Sequence, residues 1–267
     1  MMKRDEFDAL GDKHKKYEQL NKPFLMPNLP IMVRVDGRAF HTFTKGLNRP
    51  FDARLTLCMH ETAKTLLEKF NGYISYVQSD EISLIINGNE TGRMFGGSRD
   101  KLISLISATA SVAFYKALIE NLPQKAHELP IFDCRAFQYP TLDLYAENLM
   151  WREADATRNS LTMLCHAHFS KDALHKVNRQ KQHDMLHSIG INWDSYPNYF
   201  KRGSYFAKRD KLVVMSDEIW NKIPECKKPE SKEFLRSITE NLDLPPVSNI
   251  SNFVDVIFNK EYPKTFN

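Results

Sequence analysis

The sequence predicts an α+β fold, an antiparallel sheet built on a split strand–helix–strand plan, with helices packed on it and a mainly helical second half. Three observations carry this expectation. Across the first half of the 267 residues, short β-branched runs and long amphipathic stretches follow the order strand, helix, strand, strand, helix, strand. The two middle runs are separated only by Gln78-Ser79-Asp80-Glu81, a hairpin-length gap. From Pro140 onward helical periodicity dominates.

Asp5 to Leu20 is polar and helical in pattern and stops before Pro23, which cannot continue a helix, so residues 1–28 read as a helical arm. Ile31 to Val35, bounded by prolines and Gly37, reads as the first strand. Asp52 is placed to cap a helix whose apolar positions Leu55, Met59, Ala63, Leu66 and Phe70 recur every three or four residues, and Asn71-Gly72 ends it. Tyr73–Val77 and Ile82–Ile86 form the hairpin. The polar loop NGNETGRMFGG leads to Ser98, the expected cap of a second helix carrying Leu102, Leu105, Thr109, Val112 and Leu118, which Pro123 closes. Ile131–Phe137 is the fourth strand.

This order is that of ferredoxin-like and polymerase-palm cores, so residues 29–140 are expected to form a palm. Residues 141–267 are expected to form a helical region packed on it, beginning with one long or broken helix over TLDLYAENLMWREADATRNSLTMLCHAHFS. No internal repeat is visible.

Hydrophobic residues make up 42% and charged residues 26%, with a net charge of +4, the profile of an ordinary soluble protein and not of a cationic nucleic-acid coat. The basic groups cluster at Lys13–Lys16, Lys176–Lys181, Lys201-Arg202, Lys208-Arg209 and Lys227-Lys228. Each alone reads as a solvated face, and those of the second half together could form a phosphate-facing surface. Cys58, Cys134, Cys165 and Cys226 are widely spaced, which suits free thiols in the cytoplasm. The acidic groups near the start do not fit a secretory signal, and no apolar run approaches the length of a membrane span, so no membrane partner is expected.

In the split plan the first and third strands are central neighbours. Asp36, at the end of the first, and Asp80, entering the third, therefore reach the same edge. Two adjacent carboxylates repel unless a cation compensates them, and Mg²⁺ favours oxygen ligands while keeping water and substrate phosphates. A pair of such ions suits phosphoryl chemistry. Gly37 lets the backbone turn and bring N–H groups toward a polyphosphate, with Arg38 and His41 as further donors and Phe40 and Phe43 as anchors in the core. Asp-Gly is also a common turn dipeptide, and a Ser-Asp-Glu tip could be only polar. Cys165, His166, His168, His183 and His187 match no common zinc spacing. A G-x-S-x-G elbow and a P-loop are both missing from the sequence.

The segments VRVDGRAFHTF, YVQSDEISLII, FDCRAFQYP, WREAD and FKRGSYF, in this order, resemble the tRNA-histidine guanylyltransferase superfamily. DALGDKHKKYE and FGGSRDKL look more like its guanylyltransferase-like 3′-to-5′ polymerase branch, which repairs tRNA 5′ ends. The resemblance implies a palm with two Mg²⁺ ions, commonly a homotetramer, acting on tRNA or a tRNA-like RNA with ATP, GTP or another nucleoside triphosphate. ATP activates a 5′-monophosphate, and the 3′-hydroxyl of an incoming nucleotide then attacks the adenylylated end.

By position the resemblance makes Asp36, Asp80 and the Gly37 carbonyl the metal ligands, and Asp36, Gly37, Arg38, Ala39, Phe40, His41, Ser79 and Asp80 the nucleotide site. Glu81 stands with Asp36 and Asp80 as a catalytic acidic residue. Arg49, Arg135, Arg152, Asn159, Lys201 and Arg202 are implied phosphate or RNA contacts. Where the histidine-specific enzymes carry His-Ile-Asn-Asn, this chain has Thr157, Arg158, Asn159 and Ser160. Template-dependent 5′-end repair is therefore the expected activity. Untemplated G addition is the alternative, together with a palm-type nucleotide cyclase or dinucleotide synthase, or a non-catalytic RNA-binding protein.

Overall fold

A computed structural model describes residues 12–13, 23–88 and 94–266. Apart from Asp12 and Lys13, the arm expected before residue 23 lies outside the described residues, as does part of the loop before Ser98. The elements are β1 (Ile31–Gly37), α1 (Ala53–Lys69), β2 (Gly72–Gln78), β3 (Glu81–Ile86), α2 (Arg99–Asn121), β4 (Phe132–Phe137), α3 (Leu142–His168), α4 (Arg179–Ser188), β5 (Ser204–Val214), β6 (Glu233–Leu242) and α5 (Phe253–Phe258). The strands form one antiparallel sheet in the order β4-β1-β3-β2-β5-β6. Its first four positions are those of the split plan, and β1 and β3 are central neighbours.

The register fixes what the site receives. Val33 opposes Leu84, Arg34 opposes Ser83, and Asp36 opposes Glu81. Because side chains alternate across a strand, Ile31, Val33 and Val35 with Ile82, Leu84 and Ile86 enter one core together with α1 and α2. Burying each such aliphatic side chain contributes about 1.5–3 kcal/mol. Met32, Arg34, Asp36, Glu81, Ser83 and Ile85 take the other face. That face is apolar at the Met32–Ile85 end, where Tyr145 and Leu149 of α3 and Phe253 and Val256 of α5 cover it. It is polar at the Asp36–Glu81 end.

α3 crosses this second face. The Tyr145 hydroxyl donates to the Pro30 carbonyl near its start, and Arg152 reaches Glu81 farther on. Beyond Ser160 the helix leaves the sheet and packs Leu161, Leu164 and Cys165 on Leu186 of α4 and on Trp193.

Two expectations are corrected. The region beyond residue 140 is not only helical: β5 and β6 extend the sheet past β2, with ten residue pairs in their ladder. Their outer halves expose Leu212, Val214 and Leu235, so little burial patterning marks them as strands. In α2, Leu102 and Leu118 are buried as expected, but the inward set is completed by Ile106, Ala110, Phe114 and Ala117, while Leu105 and Val112 are exposed. α2 is apolar on all sides, so its periodicity does not select a face. By length and composition alone it would pass for a membrane span, yet it lies against α1 and β4.

Candidate active site

β1 and β3 run antiparallel, so the end of one meets the start of the other, and the Gly37 N–H donates to the Asp80 carbonyl at 3.0 Å. Asp36 and Asp80 thereby meet on one rim. Burial raises the pKa of Asp80, and the negative charge of Asp36 adds to the rise, while a hydrogen bond with Ser79 and the proximity of His41 oppose it. Burial is the larger cause, and the contribution of Asp36 places the two carboxylates within electrostatic reach of each other.

The donor set suits a divalent cation: two carboxylates and the backbone oxygen of Gly37 are hard ligands, and a positive charge between them would relieve the repulsion at Asp80. Among the described residues no group of three or more His, Cys, Asp or Glu side chains gathers in a way that could hold a metal. The remaining ligands of an ion on this rim would thus be water and phosphate. Cys165 and the nearby histidines assemble no such group either. Burial pushes the thiols of Cys58 and Cys134 up to about 11 and about 12, away from ligand chemistry at neutral pH.

The loop after Asp36 is shaped by Phe40. Its ring packs against Phe43, Phe114 and Phe132 at centroid distances of 5.0, 5.4 and 5.1 Å, which makes the side chain a core anchor and leaves only the backbone of residue 40 to face a nucleotide. A Cβ on residue 37 would lie 2.4 Å from that ring, so glycine is required here by close approach. Gly37→Ala is expected to displace Phe40 and destabilise the protein by about 1–3 kcal/mol. A urea melt with an unchanged midpoint would disprove this.

Ala39 (φ 57°) and Ser79 (φ 51°) are both in the left-handed region, a cost that the fold imposes on either side of the rim. The N–H groups of Gly37 and Arg38 are consumed by the Asp80 and Ile131 carbonyls, at 3.0 and 2.8 Å. Those of Ala39, Phe40 and His41 meet no acceptor among the described residues, so the donors available to a phosphate begin two residues later than the sequence implied.

Next to the rim lies a cavity of about 330 Å³, lined by His41, Ser79, Arg49 and Asn159 from the expected set. No motif pointed to its other walls, among them Lys45, Asp52, His166, Tyr199 and Phe200. Phe51 stacks on Phe200 at 4.7 Å and closes one side, a pairing across some 150 residues that no local pattern reveals. The FKRGSYF segment was the available hint, since Phe200 begins it. Asp52 does more than cap α1: side-chain hydrogen bonds from Arg54 lower its pKa to about 2, and it accepts the N–H groups of Asn48 and Arg54. The cavity loop is tied down by a carboxylate that stays ionised.

Several expected contacts are placed elsewhere. Arg152 is buried, donates to Glu81 and is not available to a phosphate. Glu81 faces away from an acid–base role: Arg152 and, at 3.8 Å, Arg34 neutralise it, although burial raises its pKa. Lys201 and Arg202 line a separate groove with Met150, Ala154 and Thr157 of α3. There Lys201 donates to the Asp194 carbonyl at 2.7 Å, and Arg202 lies 3.7 Å from buried Glu153. Asn159 borders the cavity but donates to Asp155 at 3.0 Å. Arg135 is exposed on the open sheet face directly opposite Arg34.

Known proteins resemble this chain in sequence and fold. The sequence profile of the family described as tRNAHis guanylyltransferase matches residues 11–140. The tRNA(His) guanylyltransferase of Saccharomyces cerevisiae is 28% identical over 207 residues, 71% of this chain and 86% of the yeast protein. A bacterial tRNA(His) guanylyltransferase-like protein in complex with ATP superposes with a TM-score of 0.70 at 35% identity, covering 75% of this chain and 87% of its own. A bacterial protein of the same description in complex with GTP gives 0.67 at 26% identity, covering 93% and 97%. With the palm order, the acidic rim and these likenesses together, the chain belongs to the tRNA(His) guanylyltransferase family of nucleotidyltransferases.

Proposed function

We propose that this protein adds a nucleotide to the 5′ end of a tRNA, extending it in the 3′-to-5′ direction. The observation that carries the proposal is the meeting of Asp36 and Asp80 beside a cavity that opens onto His41, Ser79 and Arg49. At about 330 Å³ the cavity is at the small end of ligand sites, suited to a nucleoside whose phosphates extend out to the rim. Arg49 and Lys45 at its wall, His41 and the free N–H groups of residues 39–41 supply positive potential for a triphosphate.

Asp36, Asp80 and the Gly37 carbonyl would hold Mg²⁺, which when bound neutralises phosphate charge and makes the phosphorus more electrophilic. The protein itself orients the reactants, since phosphoryl transfer depends chiefly on positioning and charge and requires no protein nucleophile. In the first step a 5′-phosphate oxygen of the RNA attacks the α-phosphorus of ATP and pyrophosphate leaves. In the second, the 3′-hydroxyl of the incoming nucleotide attacks the activated 5′-phosphorus and AMP leaves.

The named relatives favour GTP as the incoming nucleotide and tRNA(His) as the acceptor. Template-dependent repair is the second reading, favoured by Thr157-Arg158-Asn159-Ser160 in place of His-Ile-Asn-Asn. All four of these side chains are engaged within α3 or with its neighbours: Thr157 donates to the Glu153 carbonyl, Arg158 and Asn159 to the Asp155 carboxylate, and Ser160 to the Lys201 carbonyl. Purified protein with Mg²⁺, ATP and each labelled nucleotide distinguishes the readings. Guanylyl transfer to tRNA(His) regardless of the opposing base supports the first, and incorporation that follows the opposing base on 5′-truncated tRNA supports the second. RNA that binds and is never lengthened defeats both. We further place the active assembly as a homotetramer, in which modest basic clusters on several copies share one RNA, and a solution mass measurement decides it.

A further inference from the structure

We infer that Trp151 is a stacking platform for an unpaired base at the end of the RNA. This rests on an RNA substrate meeting the Asp36–Asp80 rim. Trp151 opens the WREAD segment, whose arginine and glutamate are buried while the indole is 55% exposed. An exposed aromatic is unremarkable when it is free to move. This one is fixed from below: the Arg152 guanidinium lies 4.8 Å from the ring centroid, Arg152 donates to Glu81, and Glu81 is the cross-strand neighbour of Asp36. A chain of three contacts thus sets the indole at a defined place relative to the catalytic rim.

The guanidinium occupies one side of the ring, so the opposite side is left for a flat ligand. A nucleobase fits that description, and every base presents such a face. The surrounding charge fits it too. Arg34 and Arg135 lie opposite each other across β1 and β4 on the same sheet face, and Arg135 has no carboxylate partner among the described residues. A stacked base would bring its flanking phosphates toward these cations. Because the ring is already held, stacking sacrifices little side-chain freedom.

The test uses an acceptor-stem minihelix with a single-stranded 3′ tail, and the same RNA with the tail bases removed but the sugar-phosphate backbone kept. Wild type is expected to bind the tailed RNA about tenfold more tightly than the abasic one, within the usual range for one base on an aromatic ring. Trp151→Ala and Trp151→Leu should both lose that tenfold preference without changing affinity for the abasic RNA, while Trp151→Phe keeps most of it. The leucine variant retains apolar cover over Arg152, which guards against mere misfolding of the alanine variant. RNA-induced quenching of tryptophan emission should be larger in wild type than in Trp151→Phe. Equal losses on both RNAs, or emission that depends on protein concentration and not on RNA, would overturn the inference, the latter by placing a second copy of the chain over the indole. Base-dependent binding without nucleotide addition would instead count against the enzymatic reading and leave this one standing.

Discussion

Asp36→Ala and Asp80→Ala are each expected to lower nucleotide transfer by at least about a hundredfold while leaving the melting temperature unchanged or raised. The two effects separate because these carboxylates contribute charge to the rim and not packing to the core. Asp80 has a folded-state pKa raised above its ordinary value of 3.8, by burial and by Asp36. As pH rises from the unfolded value through the folded one, the unfolded chain releases this proton first, so stability falls across that window. Above it the cost is fully present. At neutral pH Asp80→Asn therefore removes a destabilising charge, and millimolar Mg²⁺ should raise the melting temperature of wild type but not of the variant. Thermal melts with and without Mg²⁺, beside single-turnover assays on labelled RNA, check both halves. If both variants lose several degrees and Mg²⁺ leaves wild type unmoved, the pair is structural and not a metal site.

What could be read before the fold was known follows from how local each signal is. The Asp52 cap, the α1 stripe and the β2–β3 hairpin depend on neighbours in sequence, and all three stand where they were expected. The rim was also legible, although Asp36 and Asp80 are far apart in the chain, because the split plan dictates which strand ends meet. The cavity was not. Its walls come from the loop before α1, the C-terminal part of α3 and the short helix Asn198–Lys201, and only packing brings Phe51 onto Phe200.

Arginines were the least legible residues. The family resemblance assigned Arg152 to phosphate or RNA, but its direction depends on how α3 lies across the sheet, which no periodicity specifies. Likewise, mixed polarity hid β5 and β6, because β5 is buried on both faces over Ser204–Ala207 and both strands are exposed in their outer halves, which leaves no alternation to read.

That reassignment of Arg152 makes the second large effect one of stability. Arg152→Ala is expected to cost about 3 kcal/mol or more, since it leaves the Glu81 carboxylate buried with only Arg34 nearby. Both side chains of the pair are close to nine-tenths buried, so solvent screening does little to soften the loss. Burial already raises the Glu81 pKa against the pull of Arg152 and then Arg34, and removing Arg152 raises it further. The deficit must then be largest at neutral pH and shrink as pH falls below the ordinary glutamate value, where Glu81 is neutral in folded and unfolded chains alike. Replacing both partners, as Glu81→Gln with Arg152→Met, should recover much of the stability, because no buried charge remains. Urea melts at about pH 4 and about pH 7.5 separate the possibilities. An Arg152→Ala protein that melts like wild type at both pH values, and suffers only a higher KM for RNA, would return Arg152 to the phosphate or RNA contact that the family resemblance implies.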